Sequence, residues 1–135
     1  MTDILSPVGL RVVYLREGNL WSWTEAGGSQ QLTGTGDMSI ARLSDDGQLL
    51  AFMRGREVWT VRMDGTDARL LITLEDEGAT LWLAPNGTLL AVSTTNKIDV
   101  IDLTEGTSTT VVTYPPIPGD YYPEVAWSQA TPVLL

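Results

Sequence analysis

The chain has 135 residues, of which 43% are hydrophobic, and a formal net charge of −9 from 17 acidic and 8 basic side chains. This size and composition suit one packed domain and argue against disorder. A surface this acidic repels nucleic-acid phosphates and anionic membranes, so we expect no nucleic-acid partner. The sequence contains neither Cys nor His, which excludes disulfides, thiolate zinc sites, cysteine nucleophiles and histidine-based triads. We expect no cofactor and no bound metal.

Membrane and export signals are not evident in the sequence. It has no run of about eighteen apolar residues, so no membrane span is predicted. The first residues, MTDILSPVGL, lack the basic and apolar regions of a signal peptide.

A repeat of about 40 residues runs through the chain. The stretch LSDDGQLLAF at 43–52 returns 40 residues later as LAPNGTLLAV at 83–92. An earlier copy, LSPVGLRVVYLREGNLWSW, occupies 5–23, and a partial later copy, EVAWSQATPVLL, occupies 124–135. No 3.6-residue apolar periodicity is visible, which argues against helical repeats of similar length. A period of this length is typical of β-propeller blades, each built from four short strands.

The copy in the middle of the chain shows how one unit divides into strands. Its apolar run QLLAFM, like TLLAV in the next copy, predicts a strand that is covered on both faces. The pairs Asp46-Gly47 and Asn86-Gly87 predict tight hairpins, because Gly tolerates the positive φ of such turns. We expect the strands of this unit near 38–44, 48–54, 57–63 and 68–73.

The predicted fold is an all-β propeller segment of about three four-stranded antiparallel blades and a partial fourth. Because propellers close with about four to eight blades, two arrangements stay open. The chain is a fragment of a longer propeller, or two copies join in an oligomeric ring. The expected blades lie at about 4–34, 37–74, 78–114 and 121–135.

The connection YPPIPGDYYP at 114–123 is a candidate partner contact. Connections between blades share one face with the hairpins between second and third strands, and partners often bind on such loops. Its aromatic and proline residues give a stiff amphipathic surface of the kind found at interfaces. Asp120, Tyr121 and Tyr122 are the candidate contact residues, although the Tyr rings could instead pack over the end of the ring.

Basic side chains are expected on the same face. Arg54 and Arg56 flank a predicted hairpin, and the repeat places Arg16 at the position of Arg54. They could pair with Glu17 or Glu57, or bind an acidic partner. We therefore include Arg54 and Arg56 among the candidate contacts.

Acidic motifs do not predict a catalytic or metal site. LEDEG at 74–78 could bind a cation or a basic peptide, but consecutive carboxylates seldom converge, and a solvated loop explains them. DGTD at 64–67 and the pair Asp45-Asp46 fit tight turns. No Ser has a His to activate it, and no carboxylate pair stands out, so we predict no catalytic residue.

The repeat resembles that of TolB-like, WD-repeat-like β-propellers. The resemblance covers nearly the whole chain and is carried by structural residues, so it implies the fold rather than a binding site. The sequence departs from the family where Pro would precede Asp or Asn. The matching motifs are NLWSW and GGSQQLT within 19–33, LSDDGQLLAFM at 43–53, MDGTDARLL at 63–71 and AWSQA at 126–130.

The resemblance implies a bacterial protein outside the cytoplasm, periplasmic or secreted, that binds a protein or peptide partner or further copies of itself. The function expected first is a non-catalytic scaffold or protein–protein interaction module. One alternative is the N-terminal propeller portion of a prolyl-oligopeptidase-type hydrolase. Another is a propeller that binds a ligand or carbohydrate, supported only by the Trp and Tyr content.

Overall fold

The computed structural model describes residues 11–75, 79–116 and 122–128. These residues form strands and turns, without a helix in the described part of the chain. The strands are β1 (Arg11–Arg16), β2 (Asn19–Thr24), β3 (Gly28–Gln31), β4 (Met38–Leu43), β5 (Leu49–Arg54), β6 (Glu57–Arg62), β7 (Arg69–Thr73), β8 (Ala79–Leu83), β9 (Leu89–Thr94), β10 (Lys97–Asp102) and β11 (Ser108–Thr113).

Three antiparallel sheets follow one another along the chain. Sheet 1 has the order β1-β2-β3, sheet 2 the order β4-β5-β6-β7, and sheet 3 the order β8-β9-β10-β11. This succession of hairpin-connected sheets confirms the predicted all-β fold of consecutive antiparallel blades. Residues 4–10 of the first expected blade and residues 129–135 of the partial fourth lie outside the described residues. The blade boundaries stay a prediction.

The repeated stretch that marks the sequence is a repeated hairpin. Gly47 and Gly87 have φ of 73° and 75°, and each N–H donates to the carbonyl three residues earlier, at 2.9 and 2.8 Å. Asp46 and Asn86 each accept the backbone N–H two residues later, at 3.0 and 3.1 Å. Both turns are therefore fixed by local chemistry, and the acidic residue in the first belongs to the turn.

The second strands of sheets 2 and 3 are covered on both faces, as their continuous apolar sequences predict. The middle four residues of β5 and of β9 are all buried. One apolar cluster lies between sheets 1 and 2 and includes Leu20, Leu50 and Phe52. The other lies between sheets 2 and 3 and includes Leu81 and Leu90. Burial of one such large side chain contributes about 1.5–3 kcal/mol, so these interfaces hold the sheets together.

Hairpins and connections gather on one face of the three sheets. The connection that leaves each sheet donates a backbone hydrogen bond to one hairpin of that sheet, which is β1–β2 in sheet 1, β5–β6 in sheet 2 and β9–β10 in sheet 3. These bonds run from Met38 N to Gly18 O (2.9 Å), from Leu74 N to Arg56 O (2.8 Å) and from Tyr114 N to Asn96 O (3.0 Å). We call this surface the loop face: its hairpins are 16–19, 54–57 and 94–97, and its connections are 32–37, 74–75 and 114–116.

Polar contacts also join neighbouring sheets near their first strands. Arg42 Nε donates to the carbonyl of Leu81 at 2.7 Å. On the other side of sheet 3, the indole N–H of Trp127 donates to the carbonyl of Trp82 at 2.8 Å, and Ser93 Oγ donates to that of Pro123 at 2.9 Å. The segment 122–128 therefore runs along sheet 3. Among the described residues no helix is long and apolar enough to cross a membrane.

Candidate binding surface on the loop face

The two arginines predicted as contacts lie in the β5–β6 hairpin on the loop face. The Arg54 guanidinium donates through Nε and one terminal nitrogen to a single carboxylate oxygen of Asp37, at 3.3 and 3.2 Å. Arg56 donates to the backbone carbonyl of Glu75 at 3.1 Å. The suggested pairing with Glu57 is wrong for Arg54, because the connection from sheet 1 brings Asp37 to the hairpin instead.

Asp37 is held ionised by its neighbours. The hydroxyl of Thr35 donates to the carboxylate at 2.5 Å. This bond, and then the Arg54 guanidinium, place the pKa of Asp37 below its ordinary value, although partial desolvation acts in the opposite direction. The pair therefore carries opposite charges at neutral pH and links the connection from sheet 1 to the β5–β6 hairpin of sheet 2.

The start of the proline-rich connection is anchored to the hairpin below it. The Tyr114 hydroxyl donates to the backbone carbonyls of Thr94 and Lys97, at 2.6 and 3.0 Å. Tyr114, the first Tyr of this connection, therefore packs on the end of sheet 3. This is the alternative to a partner contact that the sequence left open for the Tyr rings. Tyr122 is partly buried, and its role as a contact stays a prediction. Asp120 and Tyr121 lie outside the described residues.

An aromatic pair recurs in sheets 1 and 2 at the same register. In sheet 1 a ring on β1 stacks on a Trp opposite it on β2, and in sheet 2 a ring on β5 stacks on a Trp opposite it on β6; in both sheets an Arg lies over that Trp. The centroids are 6.3 Å apart in sheet 1 and 6.4 Å apart in sheet 2. The two sets are Tyr14, Trp21 and Arg16, and Phe52, Trp59 and Arg54.

Sheet 3 breaks this pattern. Val92 and Asp99 are opposite each other where sheet 2 has its Phe and Trp. Asp99 is only 7% exposed, accepts a hydrogen bond from the Thr110 hydroxyl at 2.6 Å and lies 3.3 Å from Lys97 Nζ. The buried carboxylate is therefore paired, as burial of a charge requires. In sheet 2 the equivalent Trp donates to the Glu57 carboxylate instead, at 3.1 Å.

The clefts beside Trp59 in sheet 2 and Asp99 in sheet 3 have different linings. The cleft between sheets 1 and 2, here the apolar cleft, encloses about 270 Å³ and is lined by Leu20, Leu32, Phe52, Trp59, Val61 and Met63 among others. The cleft between sheets 2 and 3, here the polar cleft, encloses about 500 Å³. Its polar lining includes Thr73, Glu75, Asn96, Lys97, Asp99 and Ser108.

The polar cleft was missed by the sequence reasoning. Asp99 was not among the candidate residues. The available signal was a comparison of copies, because the position that carries Trp21 and Trp59 carries Asp in the third. The cleft opens beside the hairpin 94–97 and the connection at Glu75, so it is part of the loop face.

The other acidic motifs take part in turns. Asp46 accepts from the Ser44 hydroxyl at 2.7 Å, and Asp64 accepts from the Thr66 hydroxyl at 2.5 Å. These hydroxyls lower the pKa of each carboxyl, with backbone N–H groups adding to the effect. In the described ranges no group of three or more acidic side chains could hold a metal ion. Asp76 and Glu77 of the LEDEG motif lie outside those ranges.

Several solved structures share this arrangement of sheets. The chain is similar to tricorn protease (TM-score 0.63, 16% identity, 76% of this chain and 12% of that chain). It is also similar to TolB from Acinetobacter baumannii (TM-score 0.61, 11% identity, 77% and 30%). A chain of a nidogen–laminin complex matches with a TM-score of 0.52 and 16% identity over 70% and 40%.

No protein-family model and no curated protein matches the sequence. The chain spans less than half of each of these three neighbours. Identities this low bear on the fold alone. Together with the succession of antiparallel sheets, they show that the chain folds as consecutive blades of a β-propeller.

Proposed function

We propose that this chain is a non-catalytic propeller scaffold that binds a protein or peptide partner through its loop face. The observation that carries the proposal is the set of equivalent backbone bonds that join each connection to a hairpin. These bonds hold loops from three blades in one rigid surface. A preformed surface loses little conformational entropy on binding, so it favours affinity.

The chemistry of the loop face suits recognition better than catalysis. It combines the exposed Arg56 with the Asp37–Arg54 pair and the polar cleft beside Glu75. A general acid at neutral pH needs a raised pKa. The carboxyls with resolved shifts, Asp37, Asp46 and Asp64, all have lowered ones. Each accepts hydrogen bonds that stabilise a turn or a loop, which supports a structural role.

The structural neighbours also support a protein partner. One of them comes from a nidogen–laminin complex, so a propeller chain of related architecture is found in an assembly with another protein. The likeness to tricorn protease favours a second candidate, a propeller portion of a peptidase. There the same loop face would contact a catalytic domain or a peptide substrate.

Site-specific photo-crosslinking tests the proposed surface. A crosslinking residue replaces Arg56 on the loop face or, as the control, Glu105 in the exposed β10–β11 turn at the other end of sheet 3. In extracts of the native host, we expect one protein to be crosslinked from position 56 and not from position 105. The double substitution Tyr121→Ala, Tyr122→Ala should weaken that crosslink if these rings are contacts.

Two outcomes would contradict the proposal. Equal crosslinking from both positions would show that the loop face has no special role. Hydrolysis of a peptide by the purified chain would show that it is not merely a scaffold. Crosslinking from position 56 to a catalytic domain of the same polypeptide would instead favour the peptidase candidate.

A further inference from the structure

We infer that the polar cleft between sheets 2 and 3 binds an arginine side chain of the protein partner. This inference rests on the proposed function, because it assigns chemistry to the partner of the loop face. It goes beyond that function by naming one cleft and one kind of side chain.

The repeat supplies an internal reference for the cleft. In sheet 2 the stacked rings of Phe52 and Trp59 occupy the space facing the preceding sheet. In sheet 3 Val92 and Asp99 stand at these register positions, and the cleft beside Asp99 extends toward the loop face and encloses about 500 Å³. This volume lies in the range of small-ligand sites, about 300–1,000 Å³, and is ample for one long side chain.

The lining of the polar cleft offers hydrogen-bond acceptors that have no donor within the described residues. Among the described residues, the carboxylate of Glu75 and the hydroxyls of Thr73 and Ser108 form no hydrogen bond of their own. Each oxygen of the buried Asp99 carboxylate already has one donor, at 2.6 and 3.3 Å, and keeps capacity for a second. The cleft therefore has acceptors on its floor and along its walls.

The charges of the cleft favour a cation. Glu75 and Asp99 outnumber the single cationic residue of the lining, Lys97, and the whole chain carries a net charge of −9. The resulting field attracts basic partners and raises their association rates. By contrast, the lining of the apolar cleft includes Arg54 and Arg62 and no carboxylate.

Guanidinium suits this set of acceptors better than ammonium. It is planar, stays protonated and presents five N–H donors that can reach several oxygens at once. A carboxylate such as Glu75 can accept two parallel bonds from it, which gives geometric specificity as well as affinity. The ammonium of Lys97 need not move, because it contacts only one oxygen of Asp99.

A peptide titration followed by ¹H–¹⁵N NMR tests the inference on the full 135-residue chain. The probe is the capped peptide Gly-Gly-Arg-Gly-Gly, and its matched control carries citrulline, the neutral isostere, in place of arginine. We expect shifts confined to the cleft, at Thr73, Asn96, Lys97 and Ser108, with the arginine peptide only. Shifts elsewhere, or equal shifts with citrulline, would overturn the inference.

Two variants and one control identify the carboxylates responsible. Glu75→Gln should weaken binding of the arginine peptide by about threefold, within the range of roughly 1.4- to 5-fold expected for a charged pair near the surface. Asp99→Trp, which copies sheet 2, should abolish the shifts. Glu105→Gln makes the same charge change in the opposite turn and should have no effect.

The outcomes separate this inference from the proposed function. If Glu75→Gln binds the arginine peptide like the unchanged chain, the cleft is not an arginine site, even when Asp99→Trp fails to fold. Crosslinking from position 56 would still identify a partner on the loop face in that case. If position 56 gives no crosslink while the arginine peptide still binds, the result contradicts the proposed protein partner and leaves the arginine site intact.

Discussion

The apolar and polar clefts lie between successive blades and share the repeat positions of Trp59 and Asp99, yet their linings differ in polarity. In one, Trp59 stacks on Phe52 and faces the preceding sheet. In the other, Asp99 is opposite Val92 and is held by Thr110 and by Lys97. The strand register and the hairpins correspond in the two sheets, so the difference comes from the side chains, most clearly where Asp99 replaces Trp59.

This contrast shows where a repeat protein can carry specificity. The turn glycines and the apolar second strands must be kept in each copy because they build the blade. Positions 59 and 99 on β6 and β10 are released from that demand, since the neighbouring buried clusters already join the sheets. Such a position can therefore change its chemistry without loss of the fold.

The buried second strands of sheets 2 and 3 should respond alike to truncation, and by the largest amount. Leu50 and Leu90 are equivalent and 1% and 0% exposed. We expect Leu50→Ala and Leu90→Ala each to lower the free energy of unfolding by about 2–5 kcal/mol, through lost burial and a residual cavity. Urea denaturation measures both. A cost below about 1 kcal/mol for either variant would mean that its sheets do not pack as described.

Two glycines with nearly equal φ separate backbone strain from close packing. A Cβ on Gly18 (φ +75°) would lie 2.1 Å from the Gly36 carbonyl oxygen, whereas one on Gly47 (φ +73°) meets nothing within 4 Å. We expect Gly47→Ala to cost about 1 kcal/mol from the positive φ. Gly18→Ala should cost about 3 kcal/mol because a backbone must also move. Equal losses of stability in the two variants, measured by thermal or urea unfolding, would refute the close approach of the Gly18 hairpin to the connection at Gly36.

A smaller loss of stability is expected only at acidic pH, and it distinguishes the turn at Asp46 from the turn at Asn86. The Ser44 hydroxyl and then the Gln48 N–H lower the pKa of folded Asp46 below 3.8. Its contribution to stability is therefore present above the unfolded pKa and is lost as the pH falls through the folded one, below about pH 4. Asp46→Asn copies the third blade, where Asn86 accepts the same N–H. It should leave stability at pH 7 nearly unchanged and make the acid decline shallower.

The control for this titration is the turn that already lacks the carboxylate. Asn86→Asp should steepen the decline below pH 4, because it introduces a carboxylate that accepts the N–H of Thr88. An acid decline that is identical in all three proteins would show that these turn carboxylates do not couple to folding.

The smallest effect is expected at the rim of the apolar cleft. Arg54→Gln removes the ion pair with Asp37 and the cation over Trp59. Because the pair is exposed to solvent, screening keeps its contribution small, and the variant should unfold almost as the unchanged chain does. A large loss of stability would mean that the loop face depends on this pair rather than on its backbone bonds.

Local signals explain which features the sequence could predict. Asp46-Gly47 and the run QLLAFM specify a hairpin and a doubly covered strand through neighbours close in the chain. The Asp37–Arg54 pair was not predicted, because it joins a connection to a hairpin 17 residues away. The polar cleft was also not predicted, since it needs two sheets and becomes visible only when Asp99 is compared with Trp59.

The chemical contrast between the clefts can be measured directly because the chain has no cysteine. Ala68 and Ser108 are 40 residues apart, are exposed and line the apolar and the polar cleft respectively. The variants Ala68→Cys and Ser108→Cys each place one thiol there for reaction with a cationic and an anionic methanethiosulfonate. We expect the ratio of cationic to anionic rate to be at least about threefold higher for Ser108→Cys, a difference that low salt enhances. Equal ratios, or a higher ratio for Ala68→Cys, would contradict the polar cleft as a site for a basic side chain.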